Sequence, residues 1–271
     1  MKTIYLLILF LSVFAGKAMA FGVKASPGAF IIHNVNPGSI YDVYGETGLR
    51  ITLYNDSSVE YIYALSVEQP TGPLRGYQPI PDTKWIEFEP DIVDVSAGKQ
   101  DYGYMIINIP DEERYYNQSW VVNVIVTNYT GGSLAVAIKI RVQIETKSKG
   151  GNDPNGIIAV SPNVMSYTNY RDRKPRLVRI YNNDIVSHTY RVSVPVDKEI
   201  WKYQTHGYNQ LLTATWLKYD QEAFIIKAGE SVDYPIQLMI PDRIKYKKRK
   251  WEEVLIVETE DGQSSLIRVR F

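Results

Sequence analysis

The chain has no cysteine. That one absence excludes disulfides, thiolate metal sites, thiol catalysis and lipid attachment at a signal-peptide cysteine. Histidine is nearly as scarce. His33, His188 and His206 are the whole set, and no two lie at the close spacing of a zinc motif. No glycine-rich phosphate loop leads into a helical pattern, and no G-x-S-x-G elbow is present; Gly131-Gly132-Ser133 reads as a hairpin turn. Asn152, Asp153 and Asn155 could offer oxygens to a calcium ion, but only one is charged and no bidentate Glu follows, so they read as turn residues. The expectation is a protein that is not an enzyme and holds no cofactor or metal.

Long apolar runs are also missing after the N-terminus. Met1-Lys2 starts with a positive charge, Thr3 to Gly16 is apolar, and Ala18-Met19-Ala20 supplies a small-x-small cleavage pattern. The run is shorter than the roughly 20 residues a spanning helix needs. Residues 1–20 therefore read as a cleaved export signal, and the mature chain as a periplasmic or cell-surface protein. Net charge is formally zero, yet residues 22–146 carry 8 Lys/Arg against 15 Asp/Glu while residues 156–271 carry 18 against 14. Opposite signs on two halves suit docking to each other or to different partners.

Helical periodicity is absent as well. What is present is a series of short alternating segments between turn residues, the pattern of an all-β sandwich. Phe30 to Val35 reads as a first strand after Ser26-Pro27-Gly28. Leu49, Ile51 and Leu53 alternate in the next, then Tyr61 to Val67, Met105 to Ile109, Val122 to Val126, and Leu134 to Val142. Each set gives one apolar face, and two such sheets can close on each other.

The stretch Trp85 to Thr127 recurs 131 residues later as Trp216 to Glu258. Trp85 falls on Trp216, Ala97-Gly98 on Ala228-Gly229, Pro110-Asp111 on Pro241-Asp242, and Trp120 on Trp251. Upstream, Tyr54-Asn55-Asp56 recurs as Tyr181-Asn182-Asn183 at an offset of 127, so the connection before Trp216 is four residues longer. Carrying 131 onward puts Ile267, Val269 and Phe271 on Val136, Ile138 and Ile140. The duplication predicts two tandem immunoglobulin-like β-sandwich domains, residues 21–146 and 156–271, with a linker at 147–155 whose Gly-Gly, Asp-Pro and Asn-Gly are turn chemistry. It also counts against catalysis, because Glu87, Glu89, Asp91 and Asp94 are answered by Lys218, Asp220, Glu222 and Ile225, leaving no pair to single out.

Function is then sought where the copies differ. The long connections Val67–Trp85 and Val194–Trp216 are expected contact surfaces. Arg243, Lys245, Lys247 and Lys248 in RIKYKKRK replace the acidic, polar EERYYNQS of the first repeat, which contains Tyr115 and Tyr116. The basic stretch reads either as a site for an anionic polymer or membrane surface, or as a solvated loop. Nucleic acid is a poor partner for an exported protein. Tyr102, Tyr104, Tyr115, Tyr116, Tyr203 and Tyr208 are expected at exposed or loop positions, able to anchor a protein interface or stack on sugars. His188 is expected to pack or sit at a rim, in the place of Tyr61.

Thr52 to Val67 and Phe88 to Pro110, with a strand ending in Asn and a Pro-to-Gly turn feeding a strand that ends near Pro, resemble an immunoglobulin-like domain common in exported bacterial proteins. Periplasmic pilus-assembly chaperones share this outline. Gly131 to Thr146 is similar to the last strand by which such chaperones complete a subunit's fold. The resemblance implies Leu134, Val136, Ile138 and Ile140 as donated side chains and a pilus-like subunit as partner. It also implies a carboxylate-gripping Arg and Lys, for which Lys24 or His33 with Lys139 or Arg141 are the residues at hand. The residues themselves leave open that Leu134 to Val142 pack their own core. The broader expectation is a module that binds another envelope or surface protein through strand edges and loops, with a structural or glycan-binding surface module as an alternative.

Overall fold

The computed structural model of the chain describes residues 23–72, 74–129, 136–151, 154, 156–168, 173–195, 200, 202–211, 216–240 and 249–271. In the first repeat the strands are β1 (Lys24–Ser26), β2 (Ala29–Val35), β3 (Ile40–Asp42), β4 (Ile51–Tyr54), β5 (Tyr61–Glu68), β6 (Gln78–Pro79), β7 (Ile86–Glu89), β8 (Ile92–Val95), β9 (Gln100–Asn108), β10 (Ser119–Asn128) and β11 (Val136–Thr146). In the second they are β12 (Ile158–Ser161), β13 (Val164–Ser166), β14 (Arg176–Asn182), β15 (His188–Ser193), β16 (Asn209–Gln210), β17 (Leu217–Lys218), β18 (Phe224–Ile226), β19 (Ser231–Leu238), β20 (Trp251–Thr259) and β21 (Ser264–Arg270).

These strands form two immunoglobulin-like sandwiches. One sheet of the first domain runs β1-β4-β9-β3 with β7 also on β9; the facing sheet runs β2-β11-β10-β5-β8. The second domain repeats the plan as β12-β14-β19-β17 and β13-β21-β20-β15-β18. Alternation places Ile51, Leu53, Tyr61, Tyr63, Met105, Ile107, Val122, Val124 and Val126 in one core, and Val178, Ile180, Tyr190, Val192, Ile236, Leu238, Leu255 and Val257 in the other. Both Trp pairs close the core ends, Trp85 against Trp120 at 5.6 Å and Trp216 against Trp251 at 6.2 Å between ring centroids.

The duplicated polar residues are turn-makers. Asn55 is fully buried, its Nδ2 donating to the carbonyls of Val59 and Val95 at 2.7 Å. Asn182 repeats this on Val186 and Ile226 at 2.8 and 2.9 Å. An amide that satisfies two strand-end carbonyls replaces a backbone turn at that corner. Gly98 and Gly229 of the repeated Ala-Gly turns sit at φ 67° and 70°, a region a side chain disfavours.

Both domains begin with a strand that changes sheets. β1 pairs with β4, the chain crosses at Ser26-Pro27-Gly28, and β2 then runs parallel to β11 from Ala29 opposite Arg141. The second domain does the same at Ser161-Pro162-Asn163, with β13 starting at Val164 opposite Arg268. Arg141 N–H donates to Gly28 O at 3.2 Å, and Arg268 N–H to Asn163 O at 2.8 Å. That match corrects one alignment made from sequence. Val124 pairs with Ile140, and its counterpart Leu255 pairs with Ile267. Ile267 therefore stands where Ile140 does, not where Val136 does. The hairpin before β21 is four residues shorter, which returns the offset to 127, a change invisible in two strands of identical alternation.

Candidate functional site

The crossing at Pro27 leaves part of a strand uncovered. β2 reaches only as far as Arg141, so among the described residues no strand pairs with the free side of Val136 to Ile140. Since Arg141 N–H points toward β2, strand alternation turns the N–H and C=O groups of Lys139 and Ala137 to the same open side. An edge of this kind is a template for another strand.

Side chains on the two faces of this half-strand differ. Inward, Ile140, Val142 and Ile144 are fully buried in the domain's own core and Ile138 packs partly against it. Ile140 is thus a core residue, which departs from its place in the donated set. Ile138 is the described member of that set with exposed surface. Leu134 and the Val136 side chain lie outside the described residues. Outward, Ala137, Lys139 and Arg141 are exposed. Lys139 Nζ lies 2.5 Å from Glu68 Oε1, which holds the Glu68 carboxyl below its ordinary pKa. Arg141 has no ion-pair partner among the described residues. With Lys139, Asn123, Gly28, Ala29 and the Pro70–Gly72 loop it lines an open groove of about 470 Å³.

The other end of β11 runs into the second domain. Tyr77, Val121, Tyr203, Val254, Ile256 and Leu266 form an apolar layer between the two sandwiches, with Leu74 at its margin and the Tyr77 and Tyr203 rings stacked 6.4 Å apart. Beside it lies a buried charge network. Arg268 grips Glu145 with two bonds of 2.6 and 2.5 Å and donates to Glu252 at 2.7 Å. Tyr77 donates to Glu145 at 2.5 Å, His33 Nδ1 lies 2.9 Å from it, and Arg270 donates to Glu252 at 2.7 Å. Two carboxylates face two guanidiniums, so the ionic charges balance. Burial by itself would raise the Glu145 pKa, but Arg268 and then His33 hold it well below the usual carboxylate range. Burial, followed by Glu145, pushes the Tyr77 phenol well above its ordinary value.

This junction occupies much of what the sequence marked as contact surface. The connection after Val67 places Arg75 on Glu258, at 3.1 and 2.7 Å, and sends Gly76 N–H to Ser264 Oγ at 2.7 Å. From the second connection, Tyr203 takes a loop position, one of the two expected for it, but is only 1% exposed. Its apolar ring finds a stacking partner in the facing domain, and burial follows. Between the domains a cleft of about 490 Å³ remains, lined by Phe30, Ile31, His33, Leu49, Lys202 and His206 among others.

The other predicted residues are scattered. Tyr115 is 6% exposed, wedged between Trp85 at 4.9 Å and Trp120 at 5.9 Å, so it is core and not a contact residue. Tyr116 is half-buried under the Lys149 ammonium, 4.9 Å from its ring. Lys24 pairs with Asp56 at 3.0 Å. His188 is buried at a rim, 2.8 Å from Asp184 and 3.5 Å from Glu260. Arg243, Lys245, Lys247 and Lys248, the calcium candidates Asn152, Asp153 and Asn155, and the proposed export signal lie outside the described residues. Sequence reasoning missed Tyr77, Glu145, Glu252 and Arg268. All but Tyr77 occupy strand positions whose alternation assigns them to solvent, and the only signal was a charge on a strand otherwise rich in Val and Ile.

No family model matches the chain, and no curated protein matches it. Among solved structures it is similar to the periplasmic chaperone SfaE, at 10% identity and a TM-score of 0.32, over 92% of this chain and 99% of that one. It is similar to a protein of unknown function from Porphyromonas gingivalis W83, at 12% identity and 0.36, over 92% and 98%. A third likeness is to a chain of the Salmonella enterica complex of SafA pilin with the SafB chaperone, at 9% identity and 0.33, over 94% and 97%.

Proposed function

We propose that this is a non-enzymatic, exported protein-binding module of the cell envelope. It receives an extended segment of another envelope or surface protein on the open edge of β11 and so assists assembly or anchoring. The observation that carries the reading is the edge from Val136 to Ile140, unpaired among the described residues, set beside half-buried Ile138 and bounded by the crossing at Pro27. Added-strand binding draws affinity from main-chain hydrogen bonds and selectivity from alternate side chains, and this edge offers both. The junction supports the role by packing the second domain against the end of the same strand. A pilus-type chaperone is the finer form of this reading, with a pilus-like subunit as the segment's source and Ile138 as the described residue offered to it.

The test is Ala137→Pro. It deletes one N–H on the open side while leaving the β10 ladder intact, because that ladder uses the even-numbered residues of this stretch. Photo-cross-linking from Lys139 in the native envelope should give one discrete adduct in the parent protein and none in the variant. Adducts of equal yield in both, or equal yield from Glu87 on the opposite sheet, would sink the edge-binding reading.

A further inference from the structure

Duplication also gave the chain two matching surfaces on the sheets that the apolar layer of the junction does not use. The outward face of β9 with β3 and β7 corresponds to that of β19 with β17. Glu87 lies opposite Ile106 as Lys218 lies opposite Gln237, and Thr52 lies opposite Tyr102 as Arg179 lies opposite Asp233. The backbones are alike, but the prevailing charge is reversed. In the first domain half-buried Ile106 has Asp42 on one side and Glu87 on the other, and Glu89 lies opposite Tyr104. None of these three carboxylates has an ion-pair partner among the described residues. Ile40, 74% exposed, and Tyr44, edge-on to Tyr104 at 5.3 Å, extend the apolar strip. Arg50 at its border lies over the Tyr102 ring, 3.6 Å from the centroid.

In the second domain the exposed Lys218 likewise has no ion-pair partner among the described residues. Gln237 donates to Arg173 O, which brings the exposed Arg173 and Lys174 to the same margin. Leu177, 56% exposed, and its cross-strand neighbour Pro235 form the apolar centre. Asp233 answers Arg179 at 2.8 Å, and Asp220 and Glu222 lie beyond the end of β17, so the middle of the face is basic. We infer that a second copy of this chain covers these surfaces. The acidic face of one copy's first domain docks on the basic face of the next copy's second domain. An apolar centre bordered by opposite charges favours this pairing, whereas like faces would bring like charges together. The two patches differ, so the contact is heterologous, and every copy in a row keeps one face of each kind for its neighbours. The open edge of β11 belongs to the other sheet, so this contact stands or falls apart from the strand-edge reading.

Sedimentation velocity of residues 21–271, from about 1 µM to about 0.2 mM, tests it. The average mass should rise with concentration, and raising salt from about 0.05 to about 0.5 M should weaken association about tenfold. Glu87→Lys with Glu89→Lys spoils only the acidic face, and Leu177→Ser with Lys218→Ser only the basic one. Each double variant alone should associate about tenfold more weakly or less than that, with circular dichroism unchanged because the substituted side chains are exposed. An equimolar mixture of the two should form a one-to-one dimer that grows no further, since one intact face of each kind remains and the spoiled faces do not attract. A parent chain that stays monomeric throughout, a double variant that self-associates as the parent does, or a mixture that stays monomeric overturns the inference.

Discussion

Arg268 and Arg141 occupy one position in two copies of one domain, yet one is fully buried and the other is exposed. Nothing in their own strands accounts for the difference. β21 is buried along almost its whole length and β11 only from Ile140 to Thr146 with Arg141 exposed among them, because the first domain's connection and Glu145 lie over β21 and nothing described lies over the start of β11. An outward strand face is neutral until something docks on it. Duplication supplied two such faces, the junction consumed one, and the one left over is where a partner has room.

The sharpest way to break this comparison is to remove each arginine in turn. Arg268→Ala leaves Glu145 a buried carboxylate without its guanidinium, while Glu252 keeps Arg270, a loss of about 3–5 kcal/mol by the general cost of orphaning a buried charge. Arg141→Ala should leave the unfolding midpoint in urea where it was, as surface changes generally do. Equal shifts for the two would refute the claim that only one face is occupied. The pH dependence follows from Glu145. A carboxyl whose folded pKa is depressed contributes stability that is complete above its unfolded value and is lost as pH falls through the folded one. The junction should therefore hold through neutral pH and open only in acid, below the usual carboxylate range, and Glu145→Gln should remove that acid transition from fluorescence of the Trp residues.

The fold was legible because burial writes itself into alternation. Asn55 and Asn182, the Ala-Gly turns and the Trp pairs survive duplication since each has an internal partner that a change would strand. The docked face left no such mark. Glu145 and Arg268 look like any solvent-facing residue on a half-buried strand, and whether such a residue meets water or another domain is decided by contacts far away in sequence. The slip that set Ile267 on Val136 has the same origin. A four-residue change preserves strand parity, so the apolar pattern matched in the wrong register and Arg268 was never set against Arg141. The burial of Tyr115 and Tyr203 was not legible for a related reason, as tyrosine suits loops, cores and interfaces alike.

The second comparison lies inside the cores. Val122 in the first domain is fully buried, and its counterpart on β20 is Glu253, 6% exposed on the inward side. Burial pushes the Glu253 carboxyl up to about 7, with Glu252 adding to the rise. A carboxyl raised in the folded state contributes stability that is whole below its unfolded value near 4.5 and is lost as pH climbs to about 7. From that interval the second domain should lose about 3 kcal/mol between pH 4.5 and 7.5, at the general rate of about 1.4 kcal/mol per unit. Glu253→Val, which installs the first domain's residue, should flatten the slope in urea titrations at several pH values. A slope that persists in the variant would place its source elsewhere in the second domain.

The smallest expected effect concerns His188, which stands where the first domain has Tyr61. Its ring sits edge-on to Tyr190 at 6.5 Å, and the hydrogen bond to Asp184 raises its pKa, with Asp261 and Glu260 adding to the rise against the opposing effect of burial. A histidine raised in the folded state contributes stability that is complete below its unfolded value near 6.5 and is lost as pH rises through the folded one. Its window thus opens just below the pH at which that of Glu253 closes, and the two give the second domain one continuous decline that starts in mild acid. In a Glu253→Val background that decline should survive only above pH 6.5, and adding His188→Tyr should erase it while keeping an aromatic ring against Tyr190. Thermal melts of the single and double variants between pH 6 and 9 read the difference directly. A double variant that still loses stability over that range would mean that Asp184, Glu260 and Asp261 act on some group other than His188.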